Sequence, residues 1–205
     1  MDKQLYFHEV SADYISYLLR IDSKVPRVDY SAMSKHDKFL CGIVLSVSNY
    51  NYFAPISSFV TSQRTNMIIK NEEGKAISSI RFSFMIPVPV NVVSVKNFDN
   101  EPSKDYRRLL DLELQYCRKN SKTIYRLAKF VYNTVVENKD QIMIKNCCDF
   151  KKLEAACAEY SKGIEKMKTL SAKDRLAAAA DEAQRRNGER SSTPIPTIKK
   201  NQHDK

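Results

Sequence analysis

The sequence has few of the residues that build metal or disulfide sites. Its three histidines, His8, His36 and His203, lie far apart, with no carboxylate cluster near them at ligand spacing. Its five cysteines are an odd number and include no Cys-x-x-Cys pair, so we interpret them as reduced thiols, several of them in the core. The sequence therefore predicts no metal site, no cofactor and no disulfide framework.

Long apolar runs are also missing. No stretch approaches the ~20 apolar residues that cross a bilayer, and the start of the chain, Met-Asp-Lys-Gln-Leu-Tyr, lacks the basic-then-apolar order of a signal peptide. We therefore expect a cytoplasmic protein. At 205 residues and 42% hydrophobic, the chain is expected to form one globular domain with an appended tail.

The charge balance indicates the class of partner. The 34 Lys and Arg residues outnumber the 24 Asp and Glu residues, which gives a formal charge of +10. Residues 161–205 hold 11 basic and 6 acidic residues, so only half of the excess lies in the tail. Such a charge is typical of polyanion binders, and nucleic acid is the first expectation. An acidic membrane surface is the less favoured alternative.

The first hundred residues are predicted to be mostly short strands. Apolar or alternating runs separated by turn signals give about six strands with one short helix among them, the pattern of a small barrel. The helix begins at its cap Ser11 and ends near Asp22. The predicted strands are 4–10, the two arms of a hairpin within 38–58, 67–70, 76–85 and 91–95.

The hairpin within 38–58 carries the candidate site. Its turn is predicted at Asn-Tyr-Asn, residues 49–51. Proline donates no hydrogen bond to a strand ladder, so Pro55 places Ser57 and Ser58 where the ladder stops. Lys38 enters the hairpin at its other end, and antiparallel pairing brings it towards the two hydroxyls. The long loop at 22–37 adds side chains suited to phosphate contact and base stacking.

The second half of the chain is predicted to be helical. A helix over 104–119 follows Pro102, a second begins at Asn120 and Ser121, and a third follows Asp149. Arg107 and Arg108 lie outside the apolar stripe of the first helix. They either belong to a solvent-exposed helix face or contact RNA. We predict one domain over 1–170, a helical extension over 171–187 and a disordered basic tail over 188–205.

Seven short motifs occur along residues 4–160 in one order. They are Tyr14-Ile-x-Tyr17-Leu, Asp22-x-Lys24-Val25-Pro26, Gly42-Ile43-Val44-Leu45, Tyr52-x-Ala54-Pro55-Ile56-Ser57-Ser58, Phe84-Met85-Ile86-Pro87-Val88, Tyr106-Arg-Arg-Leu-Leu and Glu113-Leu-Gln. In this order they resemble the ToxN/AbiQ family of type III toxin-antitoxin endoribonucleases. The tail after about Ser161 is longer than the family pattern requires.

The resemblance implies a fold, an activity and a partner. The fold would be α+β: a compact, strongly twisted antiparallel β-barrel core, similar to SH3 and Kid/MazF barrels, decorated by mostly C-terminal helices. The activity would be metal-independent, sequence-selective cleavage of cellular or phage RNA in abortive infection, with no role for DNA or membrane. The partner would be a repeat antitoxin RNA of pseudoknot-like units, which the toxin processes and which inhibits it in a closed protein-RNA assembly.

The resemblance also implies site residues. The positions that match the family's catalytic residues are Tyr14, Tyr30, Lys38, Ser57 and Ser58. A lysine that commonly follows the hydroxyl pair is replaced here by Val60, and we expect Arg64 or Lys35 to supply its charge. The residues expected to bind RNA are Lys24, Arg27, Lys35, Arg64, Arg107 and Arg108.

Cleaving RNA without a metal makes three chemical demands. The ribose 2′-hydroxyl must be activated, the charge on the phosphorane stabilised, and the departing 5′-oxygen protonated. Lys38 and the two serines suit the second demand, whereas the general base stays open. Read without the family, Tyr14 fits a core position and Ser57-Ser58 fit ordinary turn hydroxyls. The alternative function is a non-catalytic RNA-binding protein that packages a repeat RNA.

Overall fold

The structure is a computed structural model that describes residues 5–27, 40–47 and 49–191. Its strands are β1 (Phe7–Val10), β2 (Leu40–Val47), β3 (Tyr50–Ser57), β4 (Asn66–Lys70), β5 (Ala76–Arg81), β6 (Ile86–Pro87) and β7 (Val93–Val95). Its α-helices are α1 (Ala12–Ile21), α2 (Lys104–Lys119), α3 (Ser121–Val136), α4 (Gln141–Asn146) and α5 (Phe150–Ser191).

The strands form one curled antiparallel sheet in the order β4-β5-β3-β2-β1-β7, with β6 paired to β3. The predicted α+β class with a curled antiparallel core is confirmed. The described strands leave β4 and β7 as edges, so the sheet is a half-barrel rather than a closed one. Strands β1 and β2 approach closely at Gly42, where a Cβ would lie 2.7 Å from the Tyr6 carbonyl oxygen.

The predicted hairpin is formed by β2 and β3. Its turn differs from the prediction: Val47 pairs with Tyr50, so Tyr50 and Asn51 belong to β3 and the turn lies between Val47 and Tyr50. The Ser46 hydroxyl donates to Asn51 Oδ1 at 2.9 Å, which favours this tighter register. Leu40 pairs with Pro55 at the open end of the hairpin.

The strand predicted over 76–85 is shorter in the structure. Strand β5 ends at Arg81, and residues 82–84 form a single 3-10 turn. Phe82 and Ser83 are both buried, whereas a continuing strand would place them on opposite faces. The apolar-polar alternation of residues 82–84 therefore does not indicate a strand, because a tight turn can bury successive side chains.

The predicted helices agree with α2, α3 and the start of α5. Helix α2 has the predicted bounds, and the Ser103 hydroxyl caps it by accepting from Tyr106 N. The short helix α4 was not predicted; Asp140 caps it by accepting from the amides of Ile142 and Met143. Its six residues are too few to show a helical period.

Helix α5 runs without interruption to Ser191. The chain divides into two compact units, residues 1–160 and 161–205, whereas the sequence prediction set the boundary at 170. The described part of the second unit is the continuation of α5, which passes residue 188, where the disordered tail was predicted to begin. Gly188 to Ser191 continue the helix because they follow a long helix-favouring Ala-rich run. Residues 192–205 lie outside the described part.

A buried polar cluster joins helices α3 and α5 to the sheet. The Glu154 carboxylate accepts from the hydroxyls of Tyr52 at 2.9 Å and Tyr132 at 2.6 Å, and it pairs with Lys151 at 2.9 Å. The Tyr52, Tyr132 and Phe150 rings pack together around it. Removing one partner would leave buried polar atoms unsatisfied, so this cluster fixes the helices in one position.

The cysteines whose side chains are described, Cys117, Cys147, Cys148 and Cys157, are buried thiols, as predicted. Burial raises the pKa of the Cys147 thiol to about 11, so it stays protonated at neutral pH. In the part of the chain that the structure describes, none of the helices combines the length and apolar character needed to cross a bilayer.

Candidate active site

Ser57 and Ser58 line a cavity of about 570 Å³, which we call the serine cavity. Its walls come from the end of β3, from β5, from α2 and from the segment that follows α1. Among its lining residues, those with hydroxyl, cationic or carboxylic side chains include Lys24, Arg27, Ser57, Ser58, Arg81 and Glu113. Hydroxyls and cations around one concave space can hold a phosphate group.

Pro55 explains why the two serines lie there. Strand β3 pairs with β2 as far as Pro55 and then changes partner, so that Ile56 pairs with Ile80 and Ser57 with Ser79 of β5. Proline has no N–H to donate, and the exchange of neighbours occurs at this residue. The ladder ends at Ser57, which is half-buried, and Ser58 is exposed. The predicted location of the hydroxyl pair at the end of a ladder is therefore confirmed.

The Ser57 hydroxyl also shapes the start of the following loop. Its oxygen accepts a hydrogen bond from the Phe59 amide at 3.2 Å. This bond orients the hydroxyl and turns the chain at the cavity wall. Ser57 therefore has a local structural contact as well as a position at the cavity.

Glu113 is a buried carboxyl in the cavity wall. It lies on α2, is 3% exposed and shares the buried face of the helix with Leu110, Leu114 and Cys117. Burial raises the pKa of this carboxyl to about 7. The nearby Ser78 hydroxyl opposes the rise, although Ser78 Oγ makes no hydrogen bond of normal geometry. Glu113 can therefore exchange a proton near neutral pH.

The three cations predicted to bind RNA near this site have different environments. Lys24 lines the serine cavity, but its ammonium donates to the carbonyls of Cys147 at 2.5 Å and Ile144 at 3.3 Å. Arg27 lines the cavity and is exposed. Arg64 lines a neighbouring cavity of about 460 Å³, pairs with Asp140 at 2.8 Å and lies over the Phe130 ring. Arg64 therefore lies beside the serine cavity and not in its lining, and its role in supplying the charge that Val60 lacks stays a prediction.

Arg107 and Arg108 line a different cleft of about 600 Å³, which we call the basic cleft. Lys96 and Lys104 line it as well, together with the acidic Asp99 and Asp111. Lys96 is 7% exposed and pairs with Glu9 at 2.9 Å. The structure thus separates these two arginines from the serine cavity, although Tyr106, one residue earlier on α2, lines that cavity.

Tyr14 lies in the core and not in the serine cavity. Its side chain is 0% exposed, and its hydroxyl donates to the Pro87 carbonyl at 2.7 Å. The Tyr160 ring packs against it with centroids 4.8 Å apart. Burial, assisted by Cys157, raises the pKa of the phenol well above its ordinary value. Tyr14, which the resemblance places among the catalytic residues, does not share a pocket with Ser58, because it lies on the apolar face of α1 with Ile15 and Leu18. Its catalytic role stays a prediction.

Three predicted site residues, Tyr30, Lys35 and Lys38, lie outside the described residues. The hairpin register reaches Leu40, which pairs with Pro55, and the structure describes nothing between residues 27 and 40. The convergence of Lys38 with Ser57 and Ser58 therefore stays a prediction.

Comparison with known proteins identifies the family. The model of the ToxN toxins of type III toxin-antitoxin systems matches residues 6–158. The chain belongs to the ToxN family. Endoribonuclease ToxN of Pectobacterium atrosepticum is 30% identical over 168 residues, which cover 78% of this chain and 95% of that relative. The ToxN match ends close to Tyr160, where the first structural unit ends.

Two solved structures of the family share the fold. AbiQ, a lactococcal anti-phage endoribonuclease of the type III systems, superposes with a TM-score of 0.70 at 27% identity. A type III toxin that is selectively inhibited by a non-coding RNA pseudoknot gives a TM-score of 0.69 at 25% identity. Each comparison covers 78% of this chain and 99% of the other.

Sequence reasoning missed two residues of the serine cavity in this ToxN family member. Glu113 could have been noticed as a carboxylate on the apolar stripe of α2, between Leu110 and Leu114. Arg81 carries a weaker signal, because an arginine in an alternating strand is ordinarily a solvent-facing residue. Its aromatic neighbours come from two segments, Phe84 in the turn after β5 and Phe59 after the serine pair.

Proposed function

We propose that this chain is a metal-independent endoribonuclease toxin that cleaves RNA in the serine cavity. Membership of the ToxN family supports the activity, because the relatives named above are endoribonucleases. The observation that carries the proposal is the convergence of Ser57, Ser58 and Arg81 around one cavity at the end of a strand ladder. The proposal sets the enzyme in the cytoplasm, where its RNA substrates lie.

The reaction is an internal transfer within the RNA chain. The ribose 2′-oxygen forms a bond to the adjacent phosphorus while the bond from phosphorus to the 5′-oxygen breaks. The proton leaves the 2′-hydroxyl, and a proton is delivered to the 5′-oxygen, so no co-reactant is consumed. The products are a 2′,3′-cyclic phosphate and a 5′-hydroxyl end.

The serine hydroxyls donate hydrogen bonds to the phosphorane oxygens in this scheme. Such preorganised donors act most strongly where charge develops in the transition state. Lys38, at the head of the hairpin, is proposed to add a positive charge to the same site. Tyr30 is proposed as a further contact from the loop before the hairpin.

A repeat RNA is the proposed inhibitor. The related toxin structure in which an RNA pseudoknot inhibits the toxin supports an RNA antitoxin for this chain. The basic cleft with Arg107 and Arg108 offers a second cationic surface, separate from the serine cavity. If each RNA unit contacts the basic cleft of one toxin and the serine cavity of the next, toxins and RNA units can alternate in a closed assembly. The toxin is also proposed to cut the repeat RNA into these units.

Incubation of the purified protein with total RNA in EDTA tests the activity. Fragments that end in a 2′,3′-cyclic phosphate are expected, and Ser58→Ala protein is the control. Cleavage that stops in EDTA would contradict metal independence. Intact RNA that stays tightly bound would favour the alternative, a non-catalytic protein that packages its RNA.

Salt dependence tests the electrostatic part of the proposal. A formal charge of +10 predicts several phosphate contacts, and each contact releases counterions on binding. The logarithm of affinity should therefore fall steeply and linearly with the logarithm of salt concentration. An affinity that stays constant between low and moderate salt would show that the basic residues do not contact the RNA backbone.

A further inference from the structure

Arg81 lies where two cavities meet. It is the last residue of β5, paired with Asn66 of β4, and it lines both the serine cavity and the neighbouring cavity that contains Arg64. Phe84 lines both cavities as well. A group bound at Ser57 and Ser58 therefore has Arg81 in the wall of the same space.

Two aromatic rings hold the Arg81 guanidinium. Its Cζ lies 4.4 Å from the centroid of the Phe59 ring and 4.9 Å from that of Phe84. Rings at these distances attract a cation and restrict its motion. Phe59 directly follows the serine pair, so the ring that fixes the guanidinium is anchored at the site itself.

The guanidinium lacks an anionic partner in the described part of the chain. Its Nε is buried and makes no hydrogen bond, and none of the described carboxylates pairs with it. Burial lowers the pKa of Arg81, yet a guanidinium stays charged at neutral pH. A half-buried cation with a buried, unpaired Nε and no anionic partner is a favourable neighbour for a bound anion.

Two other cations of these cavities have partners within the protein, and a third, Arg27, lines the serine cavity from an exposed position. Lys24 donates to two backbone carbonyls, and Arg64 pairs with Asp140. Each of these side chains therefore has part of its donor set committed to protein contacts. Arg81, by contrast, keeps its donors and its charge available, and its planar fork suits two oxygens of one phosphate.

We propose that Arg81 is a phosphate ligand of the active site and stabilises the phosphorane during cleavage. This inference rests on the proposed endoribonuclease function. As the bond from the 2′-oxygen to phosphorus forms and the bond to the 5′-oxygen breaks, charge grows on the non-bridging oxygens, to which Arg81 donates. Arg81 thereby supplies a positive charge that Val60 does not provide.

The test compares Arg81→Met with Arg126→Met, which removes an exposed arginine of α3 that lines none of the cavities described above. The rate of cleavage of a short RNA should fall about 100- to 1,000-fold in Arg81→Met, as for other lost transition-state donors, and should stay unchanged in Arg126→Met. Arg81→Lys should recover part of the rate, because it keeps the charge but not the planar fork.

Binding supplies a readout that does not depend on turnover. For a single-stranded RNA with a 2′-deoxy residue at the cleaved position, Arg81→Met should reduce the salt slope of binding by about 0.7, the value for one lost phosphate contact. Arg126→Met should leave that slope unchanged. If the unsubstituted protein binds RNA but does not cleave it, the proposed endoribonuclease function is wrong. The salt slope of RNA binding then still tests whether Arg81 contacts a phosphate.

A folded Arg81→Met protein with an unchanged salt slope and cleavage rate would overturn the proposal. Circular dichroism and the unfolding midpoint establish the fold of each variant. If Arg81→Met does not fold, the cleavage rate of Arg81→Lys decides, because lysine keeps the charge and should leave the salt slope unchanged. A rate equal to that of the unsubstituted protein would show that the guanidinium fork does not stabilise the phosphorane, and the proposal would be wrong.

Discussion

Replacing Glu113 by Gln should change how the stability of the protein depends on pH. The substitution keeps the shape of the side chain and removes its ionisation. In the folded protein burial raises the pKa of Glu113 to about 7, compared with 4.5 for a free carboxyl. The folded state therefore favours the protonated acid, whereas the unfolded chain ionises at lower pH.

The sign and size of the effect follow from this difference. The native protein keeps its full stability below pH 4.5, loses stability as the pH rises towards 7, and stays at the lower level above that. A pKa difference of one unit corresponds to about 1.4 kcal/mol, so the rise of the Glu113 pKa from 4.5 to about 7 lowers the free energy of unfolding by about 3 kcal/mol at high pH. Glu113→Gln has no carboxyl to ionise at this position and does not lose this stability. The free energy of unfolding of Glu113→Gln, relative to that of the native protein, should therefore rise by about 3 kcal/mol between pH 4.5 and 8.

Urea unfolding at a series of pH values measures this difference. Glu72→Gln, at an exposed turn, is the control for removal of one carboxylate. RNA binding gives a second readout, because an ionised Glu113 in the cavity wall would repel the bound phosphate. Binding of a 2′-deoxy RNA analogue should weaken above pH 7 in the native protein and not in Glu113→Gln.

Parallel stability curves for the native protein and Glu113→Gln would refute this reasoning. They would mean that Glu113 titrates alike in the folded and unfolded states. Suppose instead that the cleavage rate of the native protein rises through pH 7 and that the rate of Glu113→Gln does not. Glu113 would then have a different role, in which its carboxylate accepts the proton of the 2′-hydroxyl.

Three further predictions concern the serines, the buried tyrosine and the tail. Ser58→Ala should lower cleavage about 100- to 1,000-fold while the fold and RNA binding persist; continued growth arrest in cells that express it would show that the hydroxyl pair is misassigned. Tyr14→Phe should destabilise the protein by about 1–3 kcal/mol in urea unfolding, because the buried Pro87 carbonyl loses its donor. Its cleavage rate should change little, and a large loss of rate in a stable protein would favour the predicted catalytic role. Deleting residues 188–205 should leave the melting temperature and cleavage nearly unchanged, and a loss of either would reveal a docked segment.

Most of the fold was predictable because its signals are local. Helix α2 agrees with the prediction at both ends, since Pro102 and Ser103 mark its start and a single apolar stripe defines its length. The hairpin was predicted from two apolar runs and one proline. Helix α4 was not predictable because six residues show no helical period, and the turn after β5 was not because its residues alternate as a strand would.

The site was predictable in part. Ser57 and Ser58 were found from the position of Pro55, which has a local physical meaning. Tyr14 was assigned to the site by resemblance, while its apolar neighbours at helical spacing already favoured the core. The environments of Arg81 and Glu113 depend on side chains that lie far away in sequence, such as Phe59 for the arginine, and no local pattern indicates such neighbours.

The exchange of strand partners at Pro55 has a consequence for variation within this chain. Because β3 is bounded by β2 before Pro55 and by β5 after it, a shift of β3 by one residue would disturb both neighbours at once and turn every side chain to the opposite face. The backbone of Ser57 is therefore held by the sheet, while the Phe59 amide orients its hydroxyl. A change of length within residues 60–65, beyond Phe59, should accordingly leave Ser57 in its place on the strand.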